Sequence, residues 1–440
     1  MLLRRRRGNP VVEMQTRFPI QCLAIWAMLL LYGPCHAGPE QAPLTDLGAL
    51  APQLEQHAIK LRGLERRQPI RWAVVNRQQF QAYVRSIFDQ QYAPGELQRE
   101  GDTYKALGLI SPTLDYQRLM LTLLEEQTGG YYDPRQDTFY LADWGDPHLQ
   151  ADVIVHELTH ALQDQHFQID DFVARIRGNS DAMLARAALA EGEATWVSMA
   201  YASGTDDLEH FTPSFDVDDI NSREATDAAP VPHFLQAVLM FPYTHGLKFV
   251  NYGRQTGGWQ RLNQAYADLP VSTEQILHPE RYFDARDNPV ALHLTVPVAV
   301  KETGWELIFE EVLGEFVLQH LVAMHSDPAE AIQAAAGWDG DALKVFRRKD
   351  ELAWVQLSAW DSQQDAHEYA IAMHRVLTRQ KPDFIPQTAS SARPGMRWTH
   401  PQQDRVMSIR QQNNQVLIVN NLEADLAERI DRLVWSAVAP

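Results

Sequence analysis

The sequence predicts an α+β protein in two parts. Strand-like stretches rich in β-branched and aromatic residues, IRWAVVN at 70–76 and TGGYYDPRQDTFYLADW at 128–144, alternate with segments whose apolar residues recur at helical spacing. After about residue 290 the texture shifts to a second set of strand and helix signals. With 45% of its 440 residues apolar, the chain can bury a substantial core and still carry a smaller unit beside it.

Taken in order, residues 1–37 read as an export leader. Arginines at 4–7 and 17 precede the apolar run IQCLAIWAMLLLY at 20–32, which falls short of the ~20 residues that cross a membrane. Small residues at Cys35 and Ala37 mark cleavage after Ala37. Met14 is an alternative start, and acylation of Cys35 is a competing use, for which Tyr32-Gly33-Pro34 is a poor match. The expected destination is the periplasm or the extracellular space, with no stable membrane insertion after cleavage. Both cysteines, Cys22 and Cys35, fall inside the leader, so the remaining chain has no disulfide and no thiol chemistry. The leader carries five arginines and one acid, so its loss takes the formal charge from −18 to −22. That balance excludes nucleic acid and anionic membrane as partners, because both need a basic face.

Residues 38–290 are expected to form the main domain. IRWAVVN is its first strand, and 78–91 and 113–128 have helical spacing. The 128–144 stretch, folded about Asp133-Pro134, is a hairpin or short edge strand. A helix follows over 153–167, with Ile154, Leu158, Ala161 and Leu162 on one buried stripe, and a second begins near Ser180, a good N-cap. Residues 205–230, acidic and proline-containing, read as a surface loop. In 291–440, AWVQLSAW, a helix across 362–378, a hairpin turning at Asn413-Asn414 and a last helix from Glu423 make a small α+β unit.

The chemistry concentrates in VIVHELTHALQDQHF, residues 153–167. Four residues apart on a helix, His156 and His160 project from one face and can converge on one ion. The apolar stripe lies on the other side, so the histidine face is expected to line a cleft. Zinc accepts imidazole nitrogen and prefers four tetrahedral ligands. Glu157 lies about 100° round the helix from His156, beside such an ion, where it can take a proton from bound water. His166 has the spacing of a third ligand, but Gln163 stands where a helix-breaking glycine would be needed. On a continuous helix His166 lies about 15 Å along the axis from His156, so a helix-end or packing role is expected. The other source of a third ligand is ALAEGEATW at 188–196. Glu191 and Glu193 point to opposite sides of a helix, so only one can face the pair. Gly192 between them would let two helices approach closely.

HELTH followed about thirty residues later by AEGEATW resembles the gluzincins, the metallopeptidase group that includes thermolysin and the M1 aminopeptidases. The resemblance implies a zincin-like catalytic domain: a small mixed sheet with an edge strand, an active-site helix and a helical lower part, followed by the small α+β C-terminal domain. It implies one zinc per chain held by His156, His160 and Glu191, with Glu157 as general base. The chain also resembles a group of uncharacterised bacterial exported proteins, through GGYYDP, HELTHALQDQHF, EGEAT and AAAGWDGD (334–341); those motifs name no substrate. Thr195 stands where the thermolysin type has an Asp four residues after the ligand Glu, leaving the partner that orients a ligand histidine unassigned. Tyr243 or His245, in MFPYTHGLKFV, are candidates for stabilising an oxyanion, with a core tyrosine and a surface histidine as the plain alternative. His278 is a weaker one, since Ser272 and Gln275 explain its segment as a helix cap.

The expected activity is thus hydrolysis of a peptide or protein substrate by zinc-activated water. Two alternatives stay open: a catalytically idle zinc-binding envelope scaffold, and a zinc hydrolase of a non-peptide amide.

Overall fold

A computed structural model describes residues 44–126, 130–133, 136–143, 150–169, 176, 178–206, 208, 231–387 and 395–437. The leader, Pro134 and most of the acidic 205–230 stretch lie outside the described residues. The chain folds as a mixed α+β protein, in the order α1 (Leu44–Arg62), β1 (Arg71–Val75), α2 (Arg77–Gln91), α3 (Glu96–Leu107), α4 (Tyr116–Glu126), β2 (Gly130–Asp133), β3 (Thr138–Ala142), α5 (Gln150–Phe167), α6 (Ser180–Ser203) and α7 (His233–Ala267). Three short helices follow, α8 (Thr273–Leu277), α9 (Glu280–Phe283) and α10 (Ala299–Glu302). The last third comprises β4 (Glu306–Glu311), α11 (Gly314–Ala323), α12 (Pro328–Ala335), β5 (Trp338–Arg348), β6 (Glu351–Trp360), α13 (Gln363–Gln380), β7 (Ile385–Gln387), β8 (Met396–Thr399), β9 (Val406–Gln412), β10 (Gln415–Leu422) and α14 (Ala424–Ala437).

The small sheet has the order β1-β3-β2. Its β1–β3 pair is parallel, with Arg71 opposite Thr138, and its β2–β3 pair is antiparallel, with Tyr131 opposite Tyr140. β2 and β3 are therefore an antiparallel pair whose outer strand, β2, packs against α5. The large sheet is antiparallel throughout, in the order β4-β5-β6-β10-β9-β8-β7. Alternation along its strands sorts side chains to two faces. Trp354, Val416 and Ile418 join the larger core, which runs back to Leu54 in α1, so residues on either side of 290 share one core. Val355, Leu417 and Val419 join a second core closed by Leu426, Ile430 and Val434 of α14. The β9–β10 hairpin turns at Asn413, whose φ of 53° suits an asparagine.

The AAAGWDGD segment is architectural. The Asp341 carboxylate accepts the backbone N–H groups of Leu313 and Gly314 at the start of α11 and the Trp338 indole N–H. Helix α6 opens one residue earlier than its sequence suggests: Asn179, not Ser180, is the cap, its Oδ1 accepting from Ala182 N at 2.8 Å. An Asx side chain there reaches the free N–H of the first turn. Helices α6 and α7 cross at two glycines. A Cβ on Gly192 would stand 2.2 Å from the Gly246 carbonyl carbon, and one on Gly246 2.2 Å from the Ala188 oxygen, so backbone touches backbone at the crossing.

Candidate metal centre

Helix α5 is buried on every side between Val153 and Leu162. The histidine face therefore does not line an open cleft. It turns inward against α6, with His156 0% and His160 2% exposed, because the facing helix brings a carboxylate rather than solvent. Glu191, 0% exposed, supplies it. His156 Nε2 and His160 Nε2 are 3.0 Å apart, and each lies 3.2 Å from Glu191 Oε2. Ligands at 2.0–2.1 Å from a tetrahedral zinc are about 3.3 Å from one another, so the triangle fits one face of such a site. One further atom agrees. Among the described residues, buried Glu191 Oε1 has no hydrogen-bond partner, a cost that a charge-neutralising cation at the carboxylate would offset.

Protonation follows the same geometry. Burial pulls His156 down to about 4, keeping the ring neutral, with a lone pair on one nitrogen. Glu191 is held well below the usual carboxylate range: burial opposes this, but the charge of His160 and hydrogen bonds from both imidazoles outweigh it. Burial also acts to lower His160, yet the Glu191 carboxylate raises it overall. In the absence of a cation, then, a proton occupies the place that positive charge would take.

Glu157 stands beside the triad, 4% exposed. Its Oε2 accepts the backbone N–H of Tyr132 in β2 at 3.0 Å, tying the carboxylate to the outer strand of the small sheet. Burial pushes it up to about 7, with the Glu191 charge adding and His160 and the Tyr132 N–H opposing. A carboxyl poised there can both take and return a proton near neutrality.

Of the two oxyanion candidates, Tyr243 is fully buried with its ring nearly parallel to that of His156, at 6.2 Å between centroids. His245, two residues on, points away: its ring stacks on Phe241 at 5.0 Å and meets Phe316 edge-on. Helix α5 runs unbroken to Phe167, and His166 sits at its end, with Nε2 2.7 Å from the Glu65 carbonyl oxygen. His278 pairs with Glu315 at 3.0 Å behind a Ser272 cap.

Sequence reasoning gives Gln163 no role beyond not being glycine. Its Oε1 lies 2.8 Å from His160 Nδ1, the place where an orienting partner of a ligand histidine belongs. The available signal is its spacing, three residues from His160 on the same face. A second group of acids, Glu274, Asp287 and Asp361, also converges, but the Arg281 guanidinium sits among all three and supplies the positive charge.

Residues 304–431, which hold every strand of the large sheet, match a domain of unknown function, DUF8575; the triad lies outside the matched stretch. No curated protein matches. A solved structure from Chloroflexus aurantiacus, described as a candidate hydrolase with a novel fold, is similar at 16% identity and a TM-score of 0.37, over 61% of this chain and 98% of that one. Likeness at that level carries no argument about fold or activity.

Proposed function

We propose that the chain is an exported zinc-dependent hydrolase of the gluzincin kind acting on peptide bonds. The observation that carries this reading is the triangle of His156, His160 and Glu191 with Glu157 alongside. Zinc, when bound, supplies Lewis acidity that lowers the pKa of a water toward 7. His156, His160 and Glu191 hold it. Glu157 accepts the proton of the attacking water and returns it to the leaving amine. Tyr243, whose ring lies against His156, steadies the negative charge that develops on the carbonyl oxygen. In this reading β2 is the strand along which an extended substrate aligns, since Tyr132 is already bound to the base.

Complete burial of the triad favours a second reading, a zinc held for structure alone in an idle scaffold. Metal analysis and cleavage of peptide pools, with and without a chelator and with Glu157→Gln beside the wild type, separate the two. Retained zinc with lost cleavage in Glu157→Gln supports the peptidase. Stoichiometric zinc with no cleavage of any peptide by the wild type supports the scaffold, or a non-peptide amide substrate if amide libraries are turned over.

A further inference from the structure

The Gln163 amide reaches His160 from one end only. Its Nε2 is surrounded by the Ala190 carbonyl oxygen at 3.0 Å, Glu193 Oε1 at 2.9 Å and the Tyr266 hydroxyl at 2.9 Å. A backbone carbonyl and a carboxylate only accept, so the amide's two N–H groups must face them and its oxygen must face the ring. His160 Nδ1 must then carry a proton, so the neutral ring has its lone pair on Nε2, the atom that faces His156 and Glu191 and that a cation would take in place of a second proton. Turned the other way, the amide would present N–H to Nδ1, drive the proton to Nε2 and close the ligand position.

What holds Glu193 in place lies 131 residues away. Arg62, the last residue of α1, is fully buried, and its Nε–H donates to Glu193 Oε1. Its Nη2 donates to Asn263 Oδ1 at 2.7 Å, and its guanidinium lies over Trp259 at 4.4 Å from the ring centroid. The partners on α7 and the aromatic face fix the guanidinium in one orientation, and the guanidinium fixes the carboxylate.

We propose that the Arg62–Glu193 pair is a positioning pair: through Gln163 it sets which nitrogen of His160 is open to metal, making the N-terminal helix α1 an integral part of the centre. This rests on the metal reading above.

The test uses the full mature chain labelled with 15N-histidine. Zinc affinity is measured by competition with a chelator, and long-range proton–nitrogen spectra of the zinc-loaded protein report where the His160 proton resides. Glu193→Gln keeps the shape of the side chain but gives it N–H donors that permit the Gln163 amide to turn. The expected result is zinc binding weakened roughly 10–100-fold, the range for losing an outer partner of a ligand, with the His160 Nδ1–H signal no longer protected from exchange. Arg62→Lys, which keeps a charged donor to Glu193, should retain the protected signal and bind within a few-fold of the wild type. If Glu193→Gln fails to fold, the double variant Arg62→Met with Glu193→Gln, which strands no charge, replaces it with the same expectation. Wild type that binds no zinc sinks the metal reading. Wild type that binds zinc while the variant binds equally tightly with an unchanged His160 signal overturns the Arg62–Glu193 proposal alone.

Discussion

The backbone N–H of Tyr132 donates to the side chain of Glu157 at 3.0 Å, joining the outer strand of the small sheet to the proposed base. Glu157→Gln keeps an acceptor for that N–H, so the variant should fold, bind zinc as the wild type does, and lose activity by roughly 10²–10⁴-fold. Glu157→Ala strands a buried donor and should cost a further ~1–3 kcal/mol of stability. Thermal melts of the two variants beside their cleavage rates check both halves; equal melts would mean the Tyr132 contact carries nothing.

Zinc binding should stabilise the fold, because the triad exists only in the folded chain. Zinc at a thousand times its Kd adds about 4 kcal/mol, read as a rise in Tm that a chelator reverses. His156→Ala and Glu191→Ala should abolish the rise, and persistence of it in either variant would place the ion elsewhere.

The glycine crossing of α6 and α7 sets the reach of Glu191. A Cβ at Gly192 would stand 2.2 Å from Gly246 backbone, so Gly192→Ala must push the helices apart. The expected cost is at least the ~1–3 kcal/mol of an overpacked core, together with weaker metal binding because Glu191 moves with its helix. Denaturant melts and chelator competition measure the two. A Gly192→Ala protein with wild-type stability would show that the close approach is not needed.

Stability should fall as pH rises from about 4 to 7, in part through Asp181. Burial, helped by Asp341 and Glu315, pushes this carboxyl from 3.8 up to about 7. Its folded value exceeds its unfolded one, so the protonated form favours the fold. That contribution is full below about 4 and is lost as pH rises through about 7. Asp181→Asn keeps the acceptor for the Thr273 N–H and hydroxyl and removes the titration. It should flatten the pH dependence and exceed the wild type in stability at pH 8 by a few kcal/mol, since each tenfold difference in proton affinity between folded and unfolded chain is worth about 1.4 kcal/mol. Parallel curves for the two proteins between pH 4 and 8 would refute the assignment.

Much of the architecture is legible in the sequence. Helical spacing locates α5 and α6 within a few residues, and the asparagine pair marks the β9–β10 turn, because these are local signals of periodicity and backbone preference. The convergence of His156, His160 and Glu191 follows from one helical turn plus a resemblance. What cannot be read is anything requiring two distant segments at once. The Tyr132 N–H on Glu157 depends on where the hairpin docks, and Arg62 finds Glu193 only once α1 lies along α6. Burial of the histidine face escapes for the same reason, since an amphipathic stripe tells which side meets the core but not that a second helix covers the other side. Gln163 is illegible because its function belongs to its partners.

The depth at which the triad lies bears on any preparation of this protein. In the proposed reading, an ion bound by ligands only 0–2% exposed trades places with the buffer chiefly when the helices open locally. Loading and stripping should therefore be slow beside those of a surface site, and chelator competitions should be followed until the readings stop changing. Protein refolded in cobalt and moved into zinc-containing buffer should exchange its ion over hours rather than at the moment of mixing.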